Sequence, residues 1–281
     1  MTIAYEDIQD LQEAIELLEH STFVDRLTQL IGTPLDQALS RLPEKWVTKA
    51  GEVTRKSLKI ALDYVLTTID QEATGQRSRD FLHKSLAAAS GALGGFFAPL
   101  SVGAAFAVEM PVATGIMMRS IADIAREQGE DLSTLSGRLA CLEVLGLDTT
   151  HPAAMRQDLS AYYQLRFFMA GEVLAALESV TRYGVGAQSA PVIAQLLSRV
   201  AGRFELLVTE KLAAELIPVI GAAAGATLNV LFMDHYQRIA RGHFILRRLE
   251  RAYGTPAVRK YYEWHRQEIQ FDAVVEPIPI R

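Results

Sequence analysis

The chain has 281 residues, 49% of them hydrophobic, with 28 lysines and arginines against 33 aspartates and glutamates and a formal net charge of -5. That balance offers no broad electrostatic attraction to nucleic acid, and the length suits one large domain or two modest ones. A single cysteine, Cys141, excludes an intrachain disulfide and a cysteine-rich metal site, and it fits a reducing, cytoplasmic setting.

The first ten residues, MTIAYEDIQD, are acidic and lack an apolar core, so no secretory signal is expected there. Ile8, Leu11, Ile15 and Leu18, then Phe23, Leu27 and Leu30, recur at helical spacing, which predicts an amphipathic helix over 3–31 kinked near Ser21. After Gly32 and Pro34 a short helix is expected over 35–39. Pro43 then suits the start of a helix from Glu44 to about Ile69, apolar through Ala50, Leu58, Ala61 and Val65. Lys45, Lys49, Arg55, Lys56 and Lys59 make its other side basic, and Trp46 offers either a packing residue or a membrane-interface anchor.

Residues 71–79 are polar and read as a connection. Ser85–Val108 follows, without a single charge, rich in alanine and broken by Gly91, Gly94, Gly95, Pro99 and Gly103. A second stretch of this kind spans Leu216–Met233, opened by Pro218 and Gly221. Glycine costs a helix interior about 1 kcal/mol and proline about 3 kcal/mol, so a break is expected near 94–99. Arms of about 8–12 residues reach roughly 12–18 Å, short of the roughly 30 Å hydrocarbon layer. The expectation is two buried or re-entrant helical hairpins, with a membrane span as the competing reading.

Helix is predicted again over 109–127, with Pro111 in its first turn, Glu109 at its positive end and Arg119 four residues from Asp123. A short helix ends at Gly146. Asp148, Thr149 or Thr150 would cap a helix from Pro152 to about Tyr183, and Ser189 one from Ala190 to Leu216. Charged helices follow over 233–254 and from Thr255, and 271–281 reads as an extended tail around Pro277 and Pro279. No strand-length run alternates with period two. The fold class is therefore all-α, a multi-helix bundle with two apolar Gly/Ala-rich hairpins, in one domain over 1–281 whose halves, 1–146 and 147–270, read as a degenerate repeat.

Candidate ligand-binding residues are the charges beside these apolar stretches: Glu109, Arg119, Asp123, Asp234, Arg238, Arg241 and His243. Arg247, Arg248 and Arg251 are candidates for receiving a phosphate or anionic lipid head group. The bland reading pairs Glu109 and Asp234 with arginines, because a buried carboxylate is costly alone. His235 and His243 are eight apart and form no HExxH; there is no GxSxG elbow and no phosphate loop. No catalytic residue, cofactor or metal ligand set is assigned, and Cys141 reads as a core thiol.

Four blocks, LPEKWVTKA at 42–50, EMPVATGIMMRSIADIAREQGEDL at 109–132, RLACLEV at 138–144 and MDHYQRIARGHFILRRLERAYG at 233–254, carry a resemblance to the EcsC family of bacterial proteins. That family is named after the third product of an operon that also encodes an ABC transporter. The resemblance implies no reaction and no catalytic residues. It implies a link to membrane transport that would run through a partner, since this chain has no transporter ATPase motif. Three functions follow as expectations: a membrane-associated accessory or lipid-binding protein, a soluble helical protein-interaction module, or a metal- or carboxylate-dependent hydrolase. The partners expected are a membrane surface or anionic lipid and a protein, not nucleic acid; the location is cytoplasmic, with peripheral membrane association.

Overall fold

The computed structural model describes residues 3–20, 23–32, 34–68, 102–150, 159–216 and 222–274. Among them every regular element is helical. In chain order these are α1 (Tyr5–Glu19), α2 (Phe23–Ile31), α3 (Leu35–Ser40), α4 (Glu44–Asp63) with a π-helical turn (Tyr64–Thr68), α5 (Val102–Glu127), α6 (Leu135–Glu143) with a 3-10 turn (Val144–Gly146), α7 (Ala161–Tyr183), α8 (Ala190–Glu215), α9 (Ala222–Tyr253) and α10 (Thr255–Val274).

The long helix α9 is the axis. It packs against α1, α2, α5, α8, α10 and the 3-10 turn, while α4 bridges α5 and α8, and α7 lies on α8. Leu228, Phe232, Tyr236, Ile239, Ala240, Phe244, Ile245 and Leu249 are all buried, which wraps its apolar surface around most of the helix. Such a helix belongs inside a bundle, not on its surface. Gly242 lets α1 close on it: a Cβ there would meet Leu18 Cγ at 2.7 Å and the Ala14 carbonyl oxygen at 3.2 Å.

Several predicted boundaries move. The predicted kink at Ser21 is a full break between α1 and α2. Helix α5 begins at Val102, inside the apolar stretch, so Pro111 is internal and Glu109 stands away from the positive end. Proline there removes one ladder hydrogen bond; one turn on, Thr114 Oγ1 donates to the Met110 carbonyl at 2.8 Å. Of the two expected hairpins, residues 85–101 and 217–221 lie outside the described residues. Residues 102–108 and 222–233 are instead helix running without interruption into the charged helices that follow.

The helix start expected near Pro152 lies outside the described residues; α7 runs from Ala161, capped by Ser160, whose Oγ accepts from Tyr163 N at 3.3 Å. Asp148 Oδ1 accepts from Thr150 N at 3.1 Å. Helix α10 continues to Val274, into the stretch expected to be extended, because no proline intervenes before Pro277. Ser189 Oγ makes no helix-cap bond; it accepts from Gly186 N at 3.0 Å and closes the α7–α8 turn, where Gly184 sits at φ 72.

Among the described residues, one helix is long and apolar enough to cross a membrane by length and composition, Ala105–Glu127 in α5, and 61% of that window is buried in the bundle. Replacing the glycine at the α1–α9 contact overfills it. Gly242→Val should lower stability by about 1–3 kcal/mol, read as a lower urea midpoint with an unchanged slope; an unchanged midpoint would contradict this packing.

Candidate functional site

The charged candidates do not converge on one site; Glu109 and Asp234 are each paired across to another helix. Glu109 on α5 meets Lys211 of α8, Nζ to Oε1 at 2.8 Å, and Lys211 also donates to Glu215. The pair expected for Glu109 was an arginine; a lysine takes the place because α8 passes there, under the ring of Phe106 at 5.4 Å. Asp123 pairs with Arg126, three residues on, at 2.9 Å, and Arg119 points to solvent. Asp234 on α9 takes Arg26 of α2 at 2.8 Å, while Arg238 and Arg241 follow it half-buried.

The three arginines expected to receive an anion already hold carboxylates of this chain. Arg247 grips Glu130 with two bonds, Nε to Oε2 at 3.0 Å and Nη2 to Oε1 at 2.6 Å, and Arg251 adds a third. Arg248 reaches Asp10 on α1. Glu130 is delivered by the end of α5. Gly129, at φ 69, ends the helix while Gly129 N bonds to the Arg126 carbonyl and Glu130 N to that of Ala125, both at 2.9 Å, a Schellman turn. Burial pushes the Glu130 carboxyl up, but Arg247 and Arg251 outweigh it and hold its pKa below the usual value.

His243 belongs to a buried cluster whose other members carry no motif in the sequence. Its Nδ1 is 2.9 Å from Tyr162 Oη. Arg166, one turn along α7, donates to Glu250 at 2.8 Å and to Tyr162 Oη at 3.4 Å, and Tyr163 Oη donates to Glu250 at 3.1 Å. The ring of Tyr262 from α10 stacks on Tyr162 at 6.1 Å. Burial, then the charges of Arg166 and Arg247, hold the His243 pKa well below its ordinary value, so the imidazole stays neutral. Glu143 is buried beside them, and burial raises its pKa despite both arginines. A second buried pair joins Asp148 Oδ1 to His235 Nε2 at 3.0 Å. Burial pushes Asp148 up; the His235 and Thr150 bonds outweigh this and leave it lowered.

Among the described residues no three His, Cys, Asp or Glu side chains group as metal ligands would. Cys141 is buried, and burial pushes its thiol pKa up, which removes thiolate reactivity. Trp46 packs partly buried against the core.

The open feature is a groove of about 650 Å³ between α7 and α8, lined by Phe168, Glu172, Gln195, Ser198, Arg199 and Gly202. Arg199 lies over the Phe168 ring at 4.4 Å and donates Nε to Glu172 Oε1 at 2.6 Å. That bond lowers the Glu172 pKa. Phe168, in the groove lining, is 57% exposed, and elsewhere on α7, α8 and the turn between them Phe167, Leu174 (64%), Tyr183, Val185 and Leu206 are exposed too. Only their helical spacing was visible in the sequence; which of them face solvent depends on where α7 docks.

In comparison with known proteins, the model for the EcsC protein family matches residues 6–249, which covers most of the chain from α1 into the last turns of α9. No curated protein and no solved structure matches the chain.

The neutral His243 has a consequence for stability. Below its ordinary value of 6.5 the unfolded chain binds a proton that the native chain refuses, so this group costs stability as pH falls, by up to about 1.4 kcal/mol per unit. His243→Gln removes that dependence. Chemical denaturation at pH 7.5 and 5.5 should show the wild-type advantage over His243→Gln shrinking by about 1 kcal/mol; a pH-independent difference would contradict a neutral buried imidazole.

Proposed function

We propose, from the premise that this chain belongs to the EcsC protein family, that it is a helical protein-interaction module whose docking face is the exposed surface of α7 and α8. The observation that carries this is the concentration of exposed large apolar side chains there. Phe168 lines the groove, Phe167, Leu174 and Leu206 are exposed elsewhere on the two helices, and Tyr183 and Val185 stand at the turn. Exposed apolar residues scattered singly need no explanation, but this many on two packed helices and their turn do.

The chemistry of the groove favours a protein over lipid. Its lining mixes an aromatic ring, an arginine, a carboxylate, Gln195 and Ser198. Aromatic residues and arginine are enriched at protein interfaces, and the Arg199–Glu172 pair leaves no net positive charge for an anionic membrane. The buried pairs support the same reading. Glu109, Asp234, Arg247, Arg248 and Arg251 are engaged inside the chain, and among the described residues no three carboxylate, imidazole or thiol groups gather as metal ligands would.

A membrane-associated reading has one observation of its own. Val108 and Val112, one turn apart on the apolar half of α5, are exposed. It predicts vesicle binding that Val108→Asp abolishes and that α7 variants leave alone.

The docking face is tested with a photo-crosslinking residue at position 174 in native cells, with position 36 on the polar surface of α3 as control. The captured protein is then purified and titrated against this chain. Phe168→Glu and Leu174→Glu should each weaken that binding at least tenfold while leaving the thermal midpoint within about 2–4 °C. Equal capture at both positions, or binding unchanged by both variants, would overturn the assignment.

A further inference from the structure

Lys211 is the most deeply buried cation among the described residues, and it is shared by two carboxylates. Its side chain is 1% exposed, against 6% for Glu109 and 11% for Glu215. With all three ionised the set carries one surplus negative charge inside the bundle. Removing a charge from water is costly unless it is fully compensated, and one ammonium compensates only one carboxylate. The surplus is relieved if one carboxyl binds a proton.

Which carboxyl gives way follows from position. Glu109 lies within α5, whereas Glu215 is the last residue of α8. A carboxylate in a final helical turn meets the negative end of the helix dipole, which opposes its ionisation. Glu215 is also the member nearest to solvent, so a proton reaches it with the least rearrangement. No other charge intervenes. The charged residues of α4, which packs against both helices, are exposed except Lys49, and Lys49 pairs with Glu52. On α3, Asp36 is exposed. Helix α9 carries no charged residue before Asp234, which is held by Arg26. The 3-10 turn against α8 is uncharged, and from α7 Glu172 engages Arg199. On α8 itself the buried Glu210 lies beyond Lys211, five residues from Glu215.

We propose that Glu109, Lys211 and Glu215 form a proton-operated latch that holds the last turn of α8 against α5 when Glu215 is protonated and releases it when Glu215 ionises. Burial, opposed by Lys211 and reinforced by Glu109, pushes the Glu215 carboxyl up to about 7, which places the change at physiological pH. Lys211 itself stays charged throughout: burial lowers its pKa, but the two carboxylates outweigh this and raise it. Between about 4.5 and 7 the native chain keeps a proton that the unfolded chain has lost, so this group's contribution to stability falls as pH rises through that window. That is opposite in sign to His243, so the two are separated by local readouts. The latch does not depend on what the α7–α8 face binds.

The test uses the full chain with carboxyl-labelled glutamate. One Glu resonance should titrate with a midpoint near 7, vanish in Glu215→Gln and move down by at least one pH unit in Glu109→Gln, which removes the like charge. Hydrogen exchange at residues 212–216, corrected for intrinsic rate, should be at least tenfold faster at pH 8 than at pH 6 in the wild type. In Glu215→Gln it should stay slow at both. If Glu215→Gln fails to fold, the wild-type titration and exchange decide alone. A Glu215 resonance titrating below 5.5, or protection at 212–216 that ignores pH, would overturn the latch and leave a static ion pair.

Discussion

A helix that must lie inside the bundle and yet carries charge along its second half sets the terms for the rest of this structure. Helix α9 buries Tyr236, Ile239, Phe244 and Leu249 on its several sides, and between them it carries Asp234, Arg247, Arg248, Glu250 and Arg251. A half-buried ion without a partner costs several kcal/mol, far more than a single apolar contact returns. Each of these ions is therefore met from another element: Asp234 by α2, Arg248 by α1, Glu250 by α7, and Arg247 and Arg251 by the turn after α5. These pairs fix the angular placement of four elements around one axis. Removing one partner would cost more than the pair itself contributes, because the other charge would be left buried alone.

The same requirement ties up most of the charges that looked available for a ligand. Glu109, Asp234, Arg247, Arg248 and Arg251 are paired within the chain, and burial, reinforced by the arginines around it, keeps the imidazole of His243 neutral. Helices α7 and α8 pack on one another, and α7 reaches the axis through its first half, where Tyr162, Tyr163, Leu165 and Met169 are buried. Farther along, Ala176 is buried and Val173 and Leu177 still pack on the core, but Leu174 and Tyr183, and Val185 in the turn that follows, stay exposed. It is this exposure on which the proposed docking face rests.

Much of the helical plan could be read from spacing. The period of Ile8, Leu11, Ile15 and Leu18, the Pro34 and Pro43 punctuation and the glycines at 129, 184 and 254 all mark real helices or real ends. Pro111 shows where local reading stops: it carries a signal for a helix start, yet α5 begins before it. A boundary is a competition between local propensity and tertiary packing, and packing won there. In the candidate site, the bland expectation of a basic partner for Glu109 and Asp234 had the right chemistry. Lys211 and Arg26 could not be named, because they lie 102 and 208 residues away in the chain.

By itself the sequence determined the all-helical class and the apolar character of α5 and α9, which rest on composition and short-range periodicity, and four blocks of it carried the resemblance to the family. Tertiary structure alone decided which charges neutralise which, which tyrosines close around His243, and which face of α7 is left without a cover. Those outcomes depend on how helices far apart in sequence are rotated and docked, and a period of 3.6 residues describes the stripe on a helix without saying what will face it.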